Sequence, residues 1–86
     1  MKKYEKQIES VASELSWMAL NGDTDNYLIC WSPDWSRLTI NNEYDNNIID
    51  RDYIVGEINL DVYSEYADIV EHIEFILYWW EQEYNK

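Results

Sequence analysis

The residues of this chain that could do chemistry are few, and their spacing does not suit it. His72 is the only histidine and Cys30 the only cysteine. A covalent nucleophile needs a base within hydrogen-bond reach. Cys30 falls in an apolar run that reads as a strand, where it serves as a small core hydrophobe, and His72 follows Glu71 on a helix as a partly exposed bystander. One cysteine excludes an internal disulfide and any Cys-based zinc set. Asp23-x-Asp25 resembles the start of a calcium loop, but the next alternate position is Tyr27 and Gly22 precedes the acids instead of following them. With two glycines there is no phosphate-cradling loop, and neither G-x-S-x-G nor H-E-x-x-H occurs. Carboxylates abound, yet nothing implies a pocket in which a pair of them could work on a sugar. The expectation is a protein without catalysis, cofactor or metal.

The carboxylates instead point outward. The chain has 18 Asp+Glu against 6 Lys+Arg in 86 residues, a formal net charge of -12. A small domain needs only about 2 to 8 net charges to stay soluble, and further like charge repels itself and opposes the compact state. Lys2, Lys3 and Lys6 open the chain and Lys86 ends it, so residues 7–85 carry only Arg37 and Arg51 against 17 acids. Such composition signals disorder only when apolar content is low. Here hydrophobic residues make up 47% and aromatics 16%, with five Trp and eight Tyr, enough for a packed interior and for rings left over on the surface. Residues 1–86 read as one folded domain. A chain of this size buries roughly 60 to 65% of the surface it exposes when unfolded, which favours binding over a deep enzymatic cleft. No apolar stretch reaches the length of a membrane span and no signal-type apolar region follows the N-terminal lysines, so the expectation is a soluble, unprocessed protein of a reducing cytoplasm.

Four kinds of element must position these groups. Tyr4, Ile8, Val11, Ala12, Leu15, Met18 and Ala19 recur at helical spacing, and Asn21-Gly22 supplies a left-handed stop, which predicts a helix over 3–20. Tyr27-Leu28-Ile29-Cys30-Trp31 and Trp35 to Ile40 flank Ser32-Pro33-Asp34, which predicts a hairpin with strands 27–32 and 35–41 around a type I turn. Residues 41–52 are crowded with turn formers and acids and read as a long loop. From Tyr53 the chain regains β character. Ile58, Leu60 and Val62 alternate with polar neighbours as in a half-buried strand, and Gly56 marks a bulge or a break. Ser64 is the expected N-cap of a last helix over 65–84, with Glu65 and Asp68 in its first turn. On that helix Ile69, Val70, Ile73, Ile76, Leu77, Trp80 and Tyr84 form one apolar stripe. The predicted fold is α+β: an N-terminal helix, a three- to four-stranded antiparallel sheet, and a C-terminal amphipathic helix packed on the sheet, both helices on one face.

The candidate binding residues follow from what this arrangement leaves outside. Glu71, Glu74 and Glu81, with Tyr78 between them, line one edge of the last helix at intervals that bring neighbouring side chains within roughly 5 to 6 Å. A solvated helix face normally mixes signs, whereas from Leu38 to Asn85 there are 12 acids and only Arg51. Asp45, Asp50 and Asp52 add to the acid in the long loop. Phe75 and Trp79 fall on the flank opposite the acidic edge. With Leu28, Cys30, Leu38 and Ile40 turned inward, Tyr27, Trp31 and Trp35 are expected to face the other way. Acid-rimmed aromatic rings suit a partner that carries Arg and Lys.

In size, charge and element order the chain resembles the small acidic phage-encoded inhibitors that mimic nucleic acid, of the anti-CRISPR and anti-restriction type, and the phage inhibitor of uracil-DNA glycosylase. The resemblance spans the whole chain, is carried by composition, and transfers no individual residue. It implies an inhibitor of the bacterial host cytoplasm whose partner is a basic nucleic-acid-binding protein, a CRISPR effector, restriction or repair enzyme. Direct binding to nucleic acid or to anionic membrane is opposed by the same charge. Two alternatives remain open: an immunity protein or antitoxin that neutralises a basic nuclease, similar to barstar and the colicin immunity proteins, or a structural or adaptor protein that self-associates through its aromatic patch. Either a monomer or a homodimer is compatible with the sequence.

Overall fold

The computed structural model describes residues 4–32, 36–42, 53–62 and 65–84, with the side chains of Asn42, Val62 and Tyr84 set aside. The order is helix α1 (Glu5–Leu20), strands β1 (Asn26–Ser32), β2 (Arg37–Asn42) and β3 (Tyr53–Asn59), a single 3-10 turn (Leu60–Val62), and helix α2 (Tyr66–Tyr84). The strands form an antiparallel sheet in the order β2-β1-β3, so among the described residues both β2 and β3 are edges. This is the α+β architecture that the periodicity predicts.

α1 buries Ile8, Val11, Ala12 and Leu15, the apolar face set by its helical spacing. It ends as Asn21-Gly22 requires. Gly22 takes a left-handed φ of 80°. Its N–H donates to the Ala19 carbonyl at 3.1 Å, and that of Asp23 donates to Met18 at 3.0 Å, satisfying two carbonyls the helix leaves open. On α2, Ile69, Ile73, Ile76 and Leu77 are buried, with Val70 and Trp80 half-buried against the same cluster. α1 lies over β2, α2 over β3, and the two helices pack against each other on one face of the sheet. The Tyr66 hydroxyl donates to the Glu9 carbonyl at 3.4 Å, a further link between the helices.

Two strand expectations need correction. The register places Trp31 opposite Leu38 and Ile29 opposite Ile40. Directly paired residues share a face, so Tyr27, Ile29 and Trp31 turn to the helices together with Leu38 and Ile40. Leu28 and Cys30 occupy the other face, the reverse of the phase expected for β1. Tyr27 and Trp31 are buried, and the Trp31 ring meets Tyr4 edge-on at 4.6 Å, fastening the start of α1 to the sheet. The second correction concerns the alternating run at 58–62. Pairing with β1 stops at Asn59, whose side-chain oxygen accepts from the Asp61 N–H at 2.9 Å, and the chain turns into the 3-10 segment. An Asx turn outweighs the strand pattern there. The hairpin pairing runs from Tyr27–Asn42 to Ser32–Arg37, and Ser36 takes a positive φ of 47°. The expected turn at Pro33 and Asp34, residues 43–52 of the expected loop and the Ser64 cap lie outside the described residues, whereas β2 runs to Asn42, one residue beyond the expected strand end at Asn41.

Gly56 sits where α2 passes close to β3. A Cβ there would lie 2.2 Å from Cγ2 of Ile76, so glycine is what lets the helix settle on the strand. The register between β1 and β3 shifts beside it: Ile29 pairs with Gly56 and Cys30 with Ile54, leaving Val55 as the extra residue of a bulge.

Candidate binding surface

Apart from Asp23 and Glu81, which are half-buried, all described acids are exposed. Asp23 is used internally. One carboxylate oxygen accepts the Asp25 N–H at 3.2 Å and the other accepts the Tyr27 hydroxyl, which fixes the turn into β1. Burial, helped by that bond and by the charges of Asp23 and Asp25, pushes the Tyr27 phenol up to about 12. Among the described residues no group of three or more His, Cys, Asp or Glu is arranged to hold a metal ion. None of their helices is long and apolar enough to cross a membrane.

The solvent side of α2 gathers most of the predicted binding residues. Glu71 and Glu74 are exposed. Phe75, Tyr78 and Trp79 are each more than half exposed, at 61%, 52% and 51%. The acidic edge and the aromatic flank are one surface and not opposite ones. Trp79 meets Phe75 edge-on at 6.1 Å on one side and Tyr78 at 5.9 Å on the other, so the rings run into the row of carboxylates. Glu81 departs from expectation, with one carboxylate oxygen out of solvent. Trp31 is core and is withdrawn from the binding set. Trp35, Asp45, Asp50 and Asp52 lie outside the described residues.

Two hollows flank this surface, and they share Phe75. The larger, about 530 Å³, is a groove between β3 and α2 walled by Ile54, Val55, Ile76, Phe75, Trp79 and Trp80, with Glu83 at its end. Adjacent residues of a regular strand point to opposite faces. Ile54 and Val55 reach the same groove because the bulge re-aims one of them. The smaller hollow, about 360 Å³, is lined by Asp68, Glu71, His72 and Phe75. His72 is half-buried against β3, and desolvation holds its imidazole below the usual 6.5 despite a hydrogen bond to the Glu57 backbone carbonyl, which opposes the shift. At neutral pH it therefore adds no positive charge. Cys30 lies on the far face of the sheet, where its sulfur accepts from the Asn41 amide at 3.4 Å.

Sequence reasoning missed three features. Ile54 is half exposed on an edge strand, and Trp17 and Leu20 are exposed, at 66% and 86%, at the end of α1. Trp17 and Leu20 lie off the helical stripe of α1, a signal present in the spacing. The bulge that builds the groove leaves only a glycine as its trace. No protein-family model matches this chain, and neither a curated protein nor a solved structure shows significant similarity to it.

Proposed function

We propose that this protein is an inhibitor that occupies the basic nucleic-acid-binding groove of a DNA- or RNA-handling protein in a bacterial cytoplasm, competing with the nucleic acid by charge and shape. The observation that supports it most is the charge on α2. Asp68, Glu71, Glu74, Glu81 and Glu83 lie on a 19-residue helix that contains no Lys or Arg. At 1.5 Å rise per residue they are spread over roughly 22 Å, a mean step of about 5 to 6 Å, against about 3.4 Å between phosphates along one DNA strand. Glu81 and Glu83 fall in the last turn, where the helix dipole disfavours negative charge. Like-charged neighbours cost a helix about 0.2 to 0.5 kcal/mol per pair. A helix that carries this much like charge is suited to meeting positive charge from outside, and Phe75, Tyr78 and Trp79 beside Glu71 and Glu74 provide the rings that anchor interfaces.

A nuclease-neutralising immunity protein would use the same surface in the same way, and the identity of the captured partner separates the two. Self-association is favoured by one observation, the exposed rings beside the apolar groove, and is opposed by -12 charges on each copy. The test is capture of partners from bacterial lysate on immobilised protein, followed by elution with duplex DNA or single-stranded RNA. Captured proteins that are nucleic-acid binders and are displaced by nucleic acid meet the proposal. Partners that stay bound under saturating nucleic acid contradict it.

A further inference from the structure

The two hollows that share Phe75 differ in chemistry, and the difference specifies an occupant. On one side the groove offers aliphatic and aromatic walls: Ile54 and Val55 from the bulged strand, Ile76 from the helix, and the ring of Trp79. On the other, Asp68 and Glu71 stand one helical turn apart beside the exposed edge of Phe75, and the imidazole of His72 completes the lining. No Lys or Arg lines either hollow. A guanidinium stacks on aromatic rings and pairs with carboxylates through a planar fork, and its aliphatic stem packs on apolar surface. A second copy of this chain is a poor occupant because it brings another -12 charges. A purely apolar ligand would leave the acidic hollow unused.

We propose that the surface across Phe75 is a docking site for an apolar-arginine pair on a basic partner, the apolar side chain seated in the groove between β3 and α2 and the guanidinium against Phe75 between Asp68 and Glu71. This rests on the reading of the protein as a binder of basic partners and adds the anchor of that contact. It also explains why the bulge at Val55 lies at this point of an edge strand: with Gly56 facing α2, a regular strand would turn Val55 to the opposite face, and the groove would lose a wall.

The probe is the tetrapeptide acetyl-Gly-Leu-Arg-Gly-amide, titrated into the millimolar range and followed by backbone amide and Trp indole resonances. Saturable shifts at Ile54, Phe75 and Trp79 are expected. Replacing Arg by citrulline, which keeps the shape and removes the charge, should weaken binding about tenfold, and replacing Leu by Gly should weaken it similarly. Trp79→Ala and, separately, Ile54→Ser should each reduce affinity about tenfold while melting like wild type, since both side chains are about half exposed. Equal binding of the citrulline peptide, or no saturable shift at these residues, overturns the proposal. So does a concentration-dependent dimer that buries Trp79 and is dispersed by Trp79→Ala. Failure here is separable from failure of the proposed function. If Trp79→Ala still displaces nucleic acid from a captured partner while Glu71→Lys with Glu74→Lys does not, the docking site falls and the inhibitor reading stands. If the peptide binds as expected but Glu74→Lys, which lies outside both hollows, leaves displacement intact, the docking site stands and mimicry falls.

Discussion

Replacing Gly56 by alanine puts a methyl carbon 2.2 Å from Cγ2 of Ile76, 2.8 Å from Cδ1 and 2.9 Å from Cγ1. Two effects compete. The φ of Gly56 is not positive, so alanine fits the backbone and restricts the unfolded chain, a gain of about 0.4 to 1 kcal/mol. Against it stands the overlap, and Ile76 cannot step aside: Cγ2 is fixed at the branch point, and a β-branched side chain in a helix is held in one χ1 rotamer. Overpacking of this kind costs about 1 to 3 kcal/mol, so the overlap wins and the net loss is about 1 to 2 kcal/mol. For a domain of this size that lowers Tm by about 4 to 16 °C. Thermal unfolding followed by circular dichroism reads it directly. Ile76→Ala alone should cost about 2 to 5 kcal/mol for the cavity it opens. In that background the Gly56→Ala change should become neutral or slightly stabilising, because the three overlapping carbons are gone. The two changes are then coupled and their costs do not add. If Gly56→Ala melts at or above wild type, α2 does not rest on β3 at this point, and the groove beside it is built differently.

Trp31→Ala should lower stability by about 3 to 5 kcal/mol with partner binding unchanged per folded molecule, as its ring is buried against Tyr4. Leu77→Ala, at a fully buried site in the centre of α2, should cost about 2 to 5 kcal/mol, enough to leave much of so small a domain unfolded. Because the folded state holds His72 below 6.5, the stability it contributes is complete above that pH and is lost as pH falls toward the folded value. His72→Gln should therefore flatten the fall in Tm between about pH 7 and 5. Tyr27 works in the opposite direction: its phenol is raised to about 12, so its contribution is complete below the ordinary 10 and lost as pH rises through about 12. Tyr27→Phe should remove that part of the alkaline loss of stability in a pH series of denaturant melts.

The helices were legible because their signal is redundant. Ile69, Ile73, Ile76 and Leu77 all fall on one side at a period of 3.6, and a single polar substitution would not hide it. β1 was legible as a strand and illegible in phase. Tyr27, Leu28, Ile29, Cys30 and Trp31 are apolar at every position, so alternation cannot say which set faces the helices. Only pairing decides it, since Trp31 opposite Leu38 and Ile29 opposite Ile40 bring the rings inward. The end of β3 was hidden for a different reason. Ile58, Leu60 and Val62 keep the strand period, but the Asn59 side chain captures the Asp61 N–H and turns the chain. On the binding surface, the exposure of Glu71, Glu74, Phe75, Tyr78 and Trp79 follows from their place off the apolar stripe. The groove does not: Gly56 marks a bulge or a break, and the bulge lies beside it, but how closely α2 approaches that glycine is set by tertiary contact.

Charge carried by α2 is the point on which the functional reading stands. Glu71→Lys with Glu74→Lys changes two exposed carboxylates that make no core contact, relieves like-charge repulsion along the helix, and should leave Tm level or higher. With a captured partner and a labelled nucleic acid that it binds, the decisive measurement is the concentration of wild-type and double-reversed protein needed to displace half of that label. The reversed protein should need at least about a hundredfold more, since each lysine replaces attraction by repulsion at a basic groove. Displacement by both proteins at the same concentration would contradict nucleic-acid mimicry and leave the acids as solvated surface.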